Sequence, residues 1–179
     1  RAARPSLAYF GTLAQRSPPA RAAVRAALAA SPALRLLDLN LRGIADERAI
    51  AGESLELADV LKLNDEELRA LFAWFEPELA GDEAAAAFAL IARYNLQRIV
   101  VTRGERGWSC YQADSRRVLE GPSPQVTVVD AVGAGDAFAG VMVERLARDD
   151  GLVVAAAVEG DVDRIAEGSH GRTLPRRRG

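Results

Sequence analysis

Cysteine, histidine, methionine and lysine each occur once in these 179 residues, and each scarcity excludes something. A single cysteine, Cys110, rules out an intrachain disulfide and fits a reducing compartment. A single histidine, His170 in the stretch Gly168-Ser169-His170-Gly171, has no nucleophile placed beside it, so a Ser-His-Asp triad finds no support and the residue reads as an exposed loop position. Charge of either sign is not in excess. The formal net charge of −2 offers no electrostatic case for a nucleic-acid partner. No apolar run approaches the ~20 residues that span a bilayer, and no signal peptide is visible, so a cytoplasmic protein with no membrane partner is expected. The scarcity of lysine, set against abundant alanine and arginine, reads as composition bias.

What is present is an apolar half, 49% of residues, which excludes a disordered chain and supports a sizeable core. Leu7 to Phe10 reads as a short buried strand. Ser17 can cap a helix that Pro18 and Pro19 open and that continues from Ala22 to Ala30, where Ser31-Pro32 stops it. Leu34 to Leu39 is a continuous apolar run of strand length, as in a buried parallel sheet. A helix is predicted for Ile50 to Leu57 and a strand for Val60 to Leu63. Asn64 or Asp65 then caps a helix to about Phe75. Pro77 and Gly81 mark a loop, and Asp82 caps an alanine-rich helix to about Tyr94. Ile99 to Thr102 is a strand. Trp108 to Tyr111 and Arg117 to Leu119 form a hairpin turning at Asp114-Ser115. Val126 to Val129 reads as strand, Ala134 to about Arg148 as helix, and Leu152 to about Glu167 as a further helix interrupted at Gly160. Strands alternating with helices require crossovers, which predicts a mainly parallel sheet covered on both faces. Residues 1–171 read as one unit, and the basic stretch 172–179 as a disordered tail.

The richest stretch runs from Val129 to Phe138. A β-branched run leads into Gly133-Ala134-Gly135, and a helix pattern follows at once. Glycine lets backbone approach a ligand closely. The new helix turns its free N–H groups and positive dipole end toward the loop, which makes an anion hole. Asp136 sits at the rim, where a carboxylate is poorly placed merely to hold a phosphate. A base beside an anion hole points to a hydroxyl being deprotonated as a phosphoryl group arrives. A phosphate loop of the Gly-x-x-x-x-Gly-Lys type is excluded, since no lysine follows. The dinucleotide pattern is excluded by Phe138. The plain alternative is a strand-to-helix turn with Asp136 as a first-turn acid.

Asp130 to Asp136 resembles the C-terminal signature of the PfkB-type carbohydrate kinases, in the ribokinase superfamily, with Ala131 in place of the usual threonine. Three further segments match that family in order: Asp38-Leu39-Asn40-Leu41-Arg42, Lys62-Leu63-Asn64-Asp65-Glu66-Glu67, and Val101-Thr102-Arg103-Gly104-Glu105-Arg106-Gly107. Tyr9 to Arg16 resembles the fructokinase-like branch. The resemblance covers roughly residues 7 to 146. It implies a ribokinase-like three-layer α/β/α fold and an ATP-dependent sugar kinase, fructokinase-like, using Mg²⁺ and K⁺. Kinases of ribose, 2-keto-3-deoxygluconate or a nucleoside stand as alternatives, as does a non-catalytic nucleotide-binding remnant. The chain starts at Arg1 and lacks the segment that carries most sugar contacts and a lid in the family. A C-terminal part is therefore expected, with the full-length form a homodimer.

By that resemblance Asp136 is the general base, and the backbone N–H groups of Ala134, Gly135 and Asp136, with Gly133 giving room, stabilise the transferring phosphoryl. Asp130 and the carbonyl of Val132 would bind a monovalent cation, although Asp130 is equally explained as a loop cap. Asn64 and Glu67, at i, i+3, would hold Mg²⁺ largely through water; the same spacing also fits a capping box. Thr102, Gly104 and Gly107 form a turn whose N–H groups can face nucleotide phosphates, with a plain hairpin lead-in as the alternative for Gly107. Asp38, Asn40 and Arg42 are expected to alternate along a strand end and share one face lining the cleft. Asp38 and Asn40 would meet the sugar, and Arg42 phosphate or, otherwise, a carboxylate such as Asp38. Cys110 reads as buried packing, and Trp74 and Phe75 as core or subunit contact. After Leu146, Gly160-Asp161-Val162-Asp163 departs from the family pattern, so the adenine pocket has no counterpart that can be read.

Overall fold

Continuous apolar runs separated by amphipathic helices dictate a parallel sheet, and the computed structural model of the chain has one. It describes residues 5–43, 46–79 and 81–122. Among these residues six strands lie in one sheet in sequence order: β1 (Leu7–Gly11), β2 (Leu34–Asp38), β3 (Val60–Asn64), β4 (Arg98–Thr102), β5 (Trp108–Gln112) and β6 (Val118–Gly121). The first four pair in parallel, and β5 and β6 add antiparallel as the expected hairpin. Four helices make the crossovers: α1 (Pro18–Ala29), α2 (Glu47–Leu55), α3 (Asp65–Phe75) and α4 (Glu83–Tyr94). Each expected element in this range is found, with bounds shifted by up to three residues at most ends.

Helix starts follow their caps. Ser17 accepts from the Ala20 N–H ahead of α1, with prolines in the first turn. Asp82 accepts from the Ala85 N–H ahead of α4. The C-terminus of α4 is closed by Asn95 in the left-handed region, which asparagine tolerates better than most residues.

Strand alternation sorts the apolar residues into two faces. Phe10, Leu37, Leu61, Leu63, Ile99, Val101 and Tyr111 share a cluster with Leu28, Leu55, Leu68, Leu71, Phe72, Leu90 and Ile91 from the helices. A monotonic strand order with right-handed crossovers puts every intervening helix on one side, which is why all four pack here. The opposite face holds Leu36, Val60, Val100, Trp108 and Cys110, all buried and all from strands. The helices expected over 134–148 and 152–167, and the strand over 126–129, lie outside the described residues.

Trp74 and Phe75 end α3 against the helical core, where Phe75 stacks edge-on with Tyr94 and receives Arg48 and Arg93 over its ring. Cys110 is fully buried, and burial raises its thiol pKa to about 11, so it is packing, as the sequence implied.

Candidate functional site

In an open parallel sheet the chain leaves the carboxyl ends of the strands into loops and helix N-termini, and ligands bind there. Gly11, Asp38, Asn64 and Thr102 end β1 to β4 in adjacent registers, Gly11 beside Asp38, and Asn64 beside Thr102. Three segments singled out in the sequence therefore meet at one edge.

At its centre is a buried ion pair. Lys62 donates from Nζ to both oxygens of Asp38, at 3.1 and 2.9 Å, and Tyr9 donates its hydroxyl to Asp38 Oδ2 at 2.8 Å. Asp38 and Lys62 are directly opposite across β2 and β3, on the face away from the helices. Asp38 is 4% exposed and Lys62 7%, so neither charge is solvated from outside and each needs the other. The sequence reading did not single out Lys62 for a role. Its signal was present: the only lysine of the chain, set between Leu61 and Leu63 inside a strand.

The expected alternation of Asp38, Asn40 and Arg42 does not occur. β2 ends at Asp38, and Asn40 has a φ of 50°, which turns the chain out of the strand. The turn is held from two sides. The Thr12 hydroxyl reaches the carbonyls of Leu39 and Asn40, and Glu67 Oε1 accepts the Leu41 N–H at 2.8 Å. Glu47 accepts the N–H groups of Arg42 and Gly43. The Arg42 side chain is exposed. It is not paired with Asp38, whose two oxygens are occupied by Lys62 and Tyr9.

Asn64 and Glu67 form the capping box. Asn64 Oδ1 accepts the N–H groups of Glu66 and Glu67, each at 2.9 Å, and Glu67 Oε2 accepts the Asn64 N–H at 2.8 Å. Glu67 is thus a hub joining α3, β3 and the segment after β2. Burial pushes its pKa up; the N–H groups of Asn64 and Leu41 oppose that, Asp38 adds to it and Lys62 reduces it. With these oxygens engaged, the donors fit a divalent ion held through water and a ligand's own phosphates, not a protein cage. Among the described residues no group of three or more His, Cys, Asp or Glu is arranged for a metal.

After β4 the chain makes a tight turn. Gly104 and Gly107 have φ of 58° and 86°, and a Cβ on Gly107 would lie 2.0 Å from the Gly121 carbonyl oxygen. Gly107 is therefore fixed by the hairpin, and Gly104 by its backbone angle. The Thr102 hydroxyl reaches the Leu63 carbonyl at 3.4 Å. Arg103 bonds Glu83 at 2.5 Å, and Arg106 bonds Asp65 at the start of α3. Asp130, Val132, Gly133, Ala134, Gly135, Asp136 and His170 lie outside the described residues.

A family model described as pfkB family carbohydrate kinase matches residues 6–159. A fructokinase of Rhizobium leguminosarum bv. trifolii is 35% identical over 121 residues, 68% of this chain and 34% of that protein. A 2-dehydro-3-deoxygalactonokinase of Haloferax volcanii is 32% identical over 124 residues, 67% of this chain and 37% of that protein. The crystal structure of aminoimidazole riboside kinase from Salmonella enterica, complexed with aminoimidazole riboside and an ATP analogue, matches with a TM-score of 0.68 at 26% identity. That match covers 86% of this chain and 52% of the solved one. The chain thus spans between a third and about half of the length of these relatives.

Proposed function

The chain belongs to the pfkB family of carbohydrate kinases, and from that premise we propose that it forms the nucleotide-binding part of an ATP-dependent sugar kinase, fructokinase-like in its substrate. The supporting observation is the convergence of Asp38, Lys62, Asn64 and Thr102 toward the carboxyl edge of the parallel strands β2, β3 and β4. Core packing alone does not explain a buried ion pair, a capping box and a glycine turn side by side there.

In this reading the γ-phosphoryl group of ATP-Mg²⁺ passes in line to a sugar hydroxyl. Asp136 takes the hydroxyl proton, the hydroxyl oxygen forms the new bond to phosphorus, and ADP leaves. The N–H groups of Ala134 and Gly135, with Gly133 giving room, receive the charge that develops on the phosphoryl oxygens. Asn64 and Glu67 would hold Mg²⁺ through water, where it would neutralise phosphate charge, and the 102–107 turn would offer N–H groups to the nucleotide phosphates. Asn40 would face the acceptor, with Asp38 buried behind it and held by Lys62 and Tyr9; Arg42 would meet phosphate, and Asp130 with the Val132 carbonyl would take K⁺. The similarity to the Haloferax enzyme favours a 2-keto-3-deoxy sugar acid as the second substrate reading.

Titrating the chain with ATP-Mg²⁺ while recording amide shifts tests the proposal. Changes are expected at 64–67 and 102–107. Perturbation confined to the opposite strand ends would sink it.

A further inference from the structure

The turn between β4 and β5 carries two arginines, and each is held by a carboxylate in the first turn of a helix. Arg103 bonds Glu83 at the start of α4 and also reaches Ser109 at 3.2 Å. Its side chain is 15% exposed, and its N–H donates to the Gly107 carbonyl at 2.8 Å, so it is built into the turn. Arg106 differs. Its side chain is 68% exposed, and among the described residues its guanidinium bonds Asp65 Oδ2 alone. Asp65 also accepts from Arg69 at 3.1 Å, so its charge is compensated even without Arg106.

We infer that Arg106 is a nucleotide-phosphate ligand parked on Asp65 in the free protein, which swings to the polyphosphate when it binds. The inference rests on the kinase reading above and adds a residue to it. Asp65 follows the Asn64 cap, and Arg106 follows Thr102; Asn64 and Thr102 are register partners. The parked guanidinium therefore bridges the two segments assigned to nucleotide phosphates. Arg106 is the exposed half of the pair; Asp65 is 19% exposed and keeps Arg69 when Arg106 leaves. A polyphosphate offers arginine several charged oxygens in bidentate geometry, which one shared carboxylate does not match. Exchange of partner costs little, and the turn keeps its shape because Arg103, Gly104 and Gly107 hold it.

A merely structural clamp makes a different forecast, and a double-mutant cycle on ATP-Mg²⁺ affinity separates the two. Calorimetry on the 179-residue chain is expected to show Arg106→Ala binding about tenfold more weakly. Asp65→Asn is expected to bind a few-fold more tightly, because Arg106 is released in advance. That gain should vanish in the double variant. Arg106→Lys should recover part of the affinity. Thermal melts of the Arg106 single variants within about 2 °C of the parent would accompany this result, as expected for an exposed side chain. If both single variants lose affinity alike, the pair is a clamp and the inference fails. Unchanged affinity in Arg106→Ala overturns it as well, while leaving the kinase reading intact. Absence of ATP binding by the parent chain would remove both.

Discussion

At the residue scale the most exacting position is the Asp38–Lys62 pair. Its geometry is good, but its worth lies mainly in what happens when one partner goes. Lys62→Met leaves the buried Asp38 carboxylate with Tyr9 as its one remaining side-chain donor among the described residues, and is expected to cost about 3–5 kcal/mol in urea melts. Asp38→Asn combined with Lys62→Met should recover much of that loss, because no charge remains buried. Were the double variant as unstable as the single ones added together, the pair would not be coupled. Glu67 supplies a pH signature. Its folded pKa lies above the ordinary carboxylate value, chiefly through burial. The folded state therefore holds more protons than the unfolded one just above that value, and the Glu67 contribution falls as pH rises through the window. Asp59 and Asp65 are shifted down: burial opposes the shift, but arginine partners outweigh it. Their contributions are lost as pH falls below the usual carboxylate range. Melts between pH 3 and 7 on Asp59→Asn and the parent should show the variant with the flatter acid limb.

At the element scale, caps decide where helices start, and they are testable one by one. Asp82→Ala removes one acceptor from the first turn of α4 and is expected to cost about 1 kcal/mol. Asn64→Ala should cost more than that. It removes an acceptor for two N–H groups and dismantles one half of the capping box that also orients Glu67 toward Leu41. Equal losses in chemical denaturation would mean that the box adds nothing to a simple cap. The β4–β5 turn is an element of a different kind, set by contact with backbone. Gly107→Ala must push against the Gly121 carbonyl and cannot relax by turning a side chain, so a loss above about 2 kcal/mol is expected.

At the scale of the whole molecule, function depends on parts that meet only in the folded chain. In a full-length protein, Asp136→Asn is expected to lower turnover by about 10²–10⁴-fold while ATP affinity stays almost intact, since asparagine keeps the size but cannot take the proton. Gly135→Val should harm both, by crowding the anion hole. Steady-state kinetics with calorimetry separates these outcomes; near-parental turnover in Asp136→Asn would return that residue to a capping role. The 179-residue chain itself is expected to bind ATP-Mg²⁺ without efficient sugar-dependent turnover, because it spans between a third and about half of the length of its relatives. Robust ADP release driven by a sugar would overturn that expectation.

The sequence by itself determined the elements of the described residues and the family. Continuous apolar runs specify buried parallel strands, and Ser17, Asn64 and Asp82 mark helix starts because a cap is a local bond between near neighbours. The four ordered motifs carry the kinase resemblance because each is contiguous. Register and pairing are not local, and only the tertiary structure decided them. Nothing in the stretch 34–42 shows that Asn40 turns the chain out of the strand, since Thr12 and Glu67 hold that turn from 28 and 27 residues away. Lys62 looked like an isolated charge until β2 and β3 placed Asp38 opposite it. The partners of Arg103 and Arg106 lie 20 and 41 residues upstream, and come within reach because the start of each helix meets the turn after β4 at one end of the sheet.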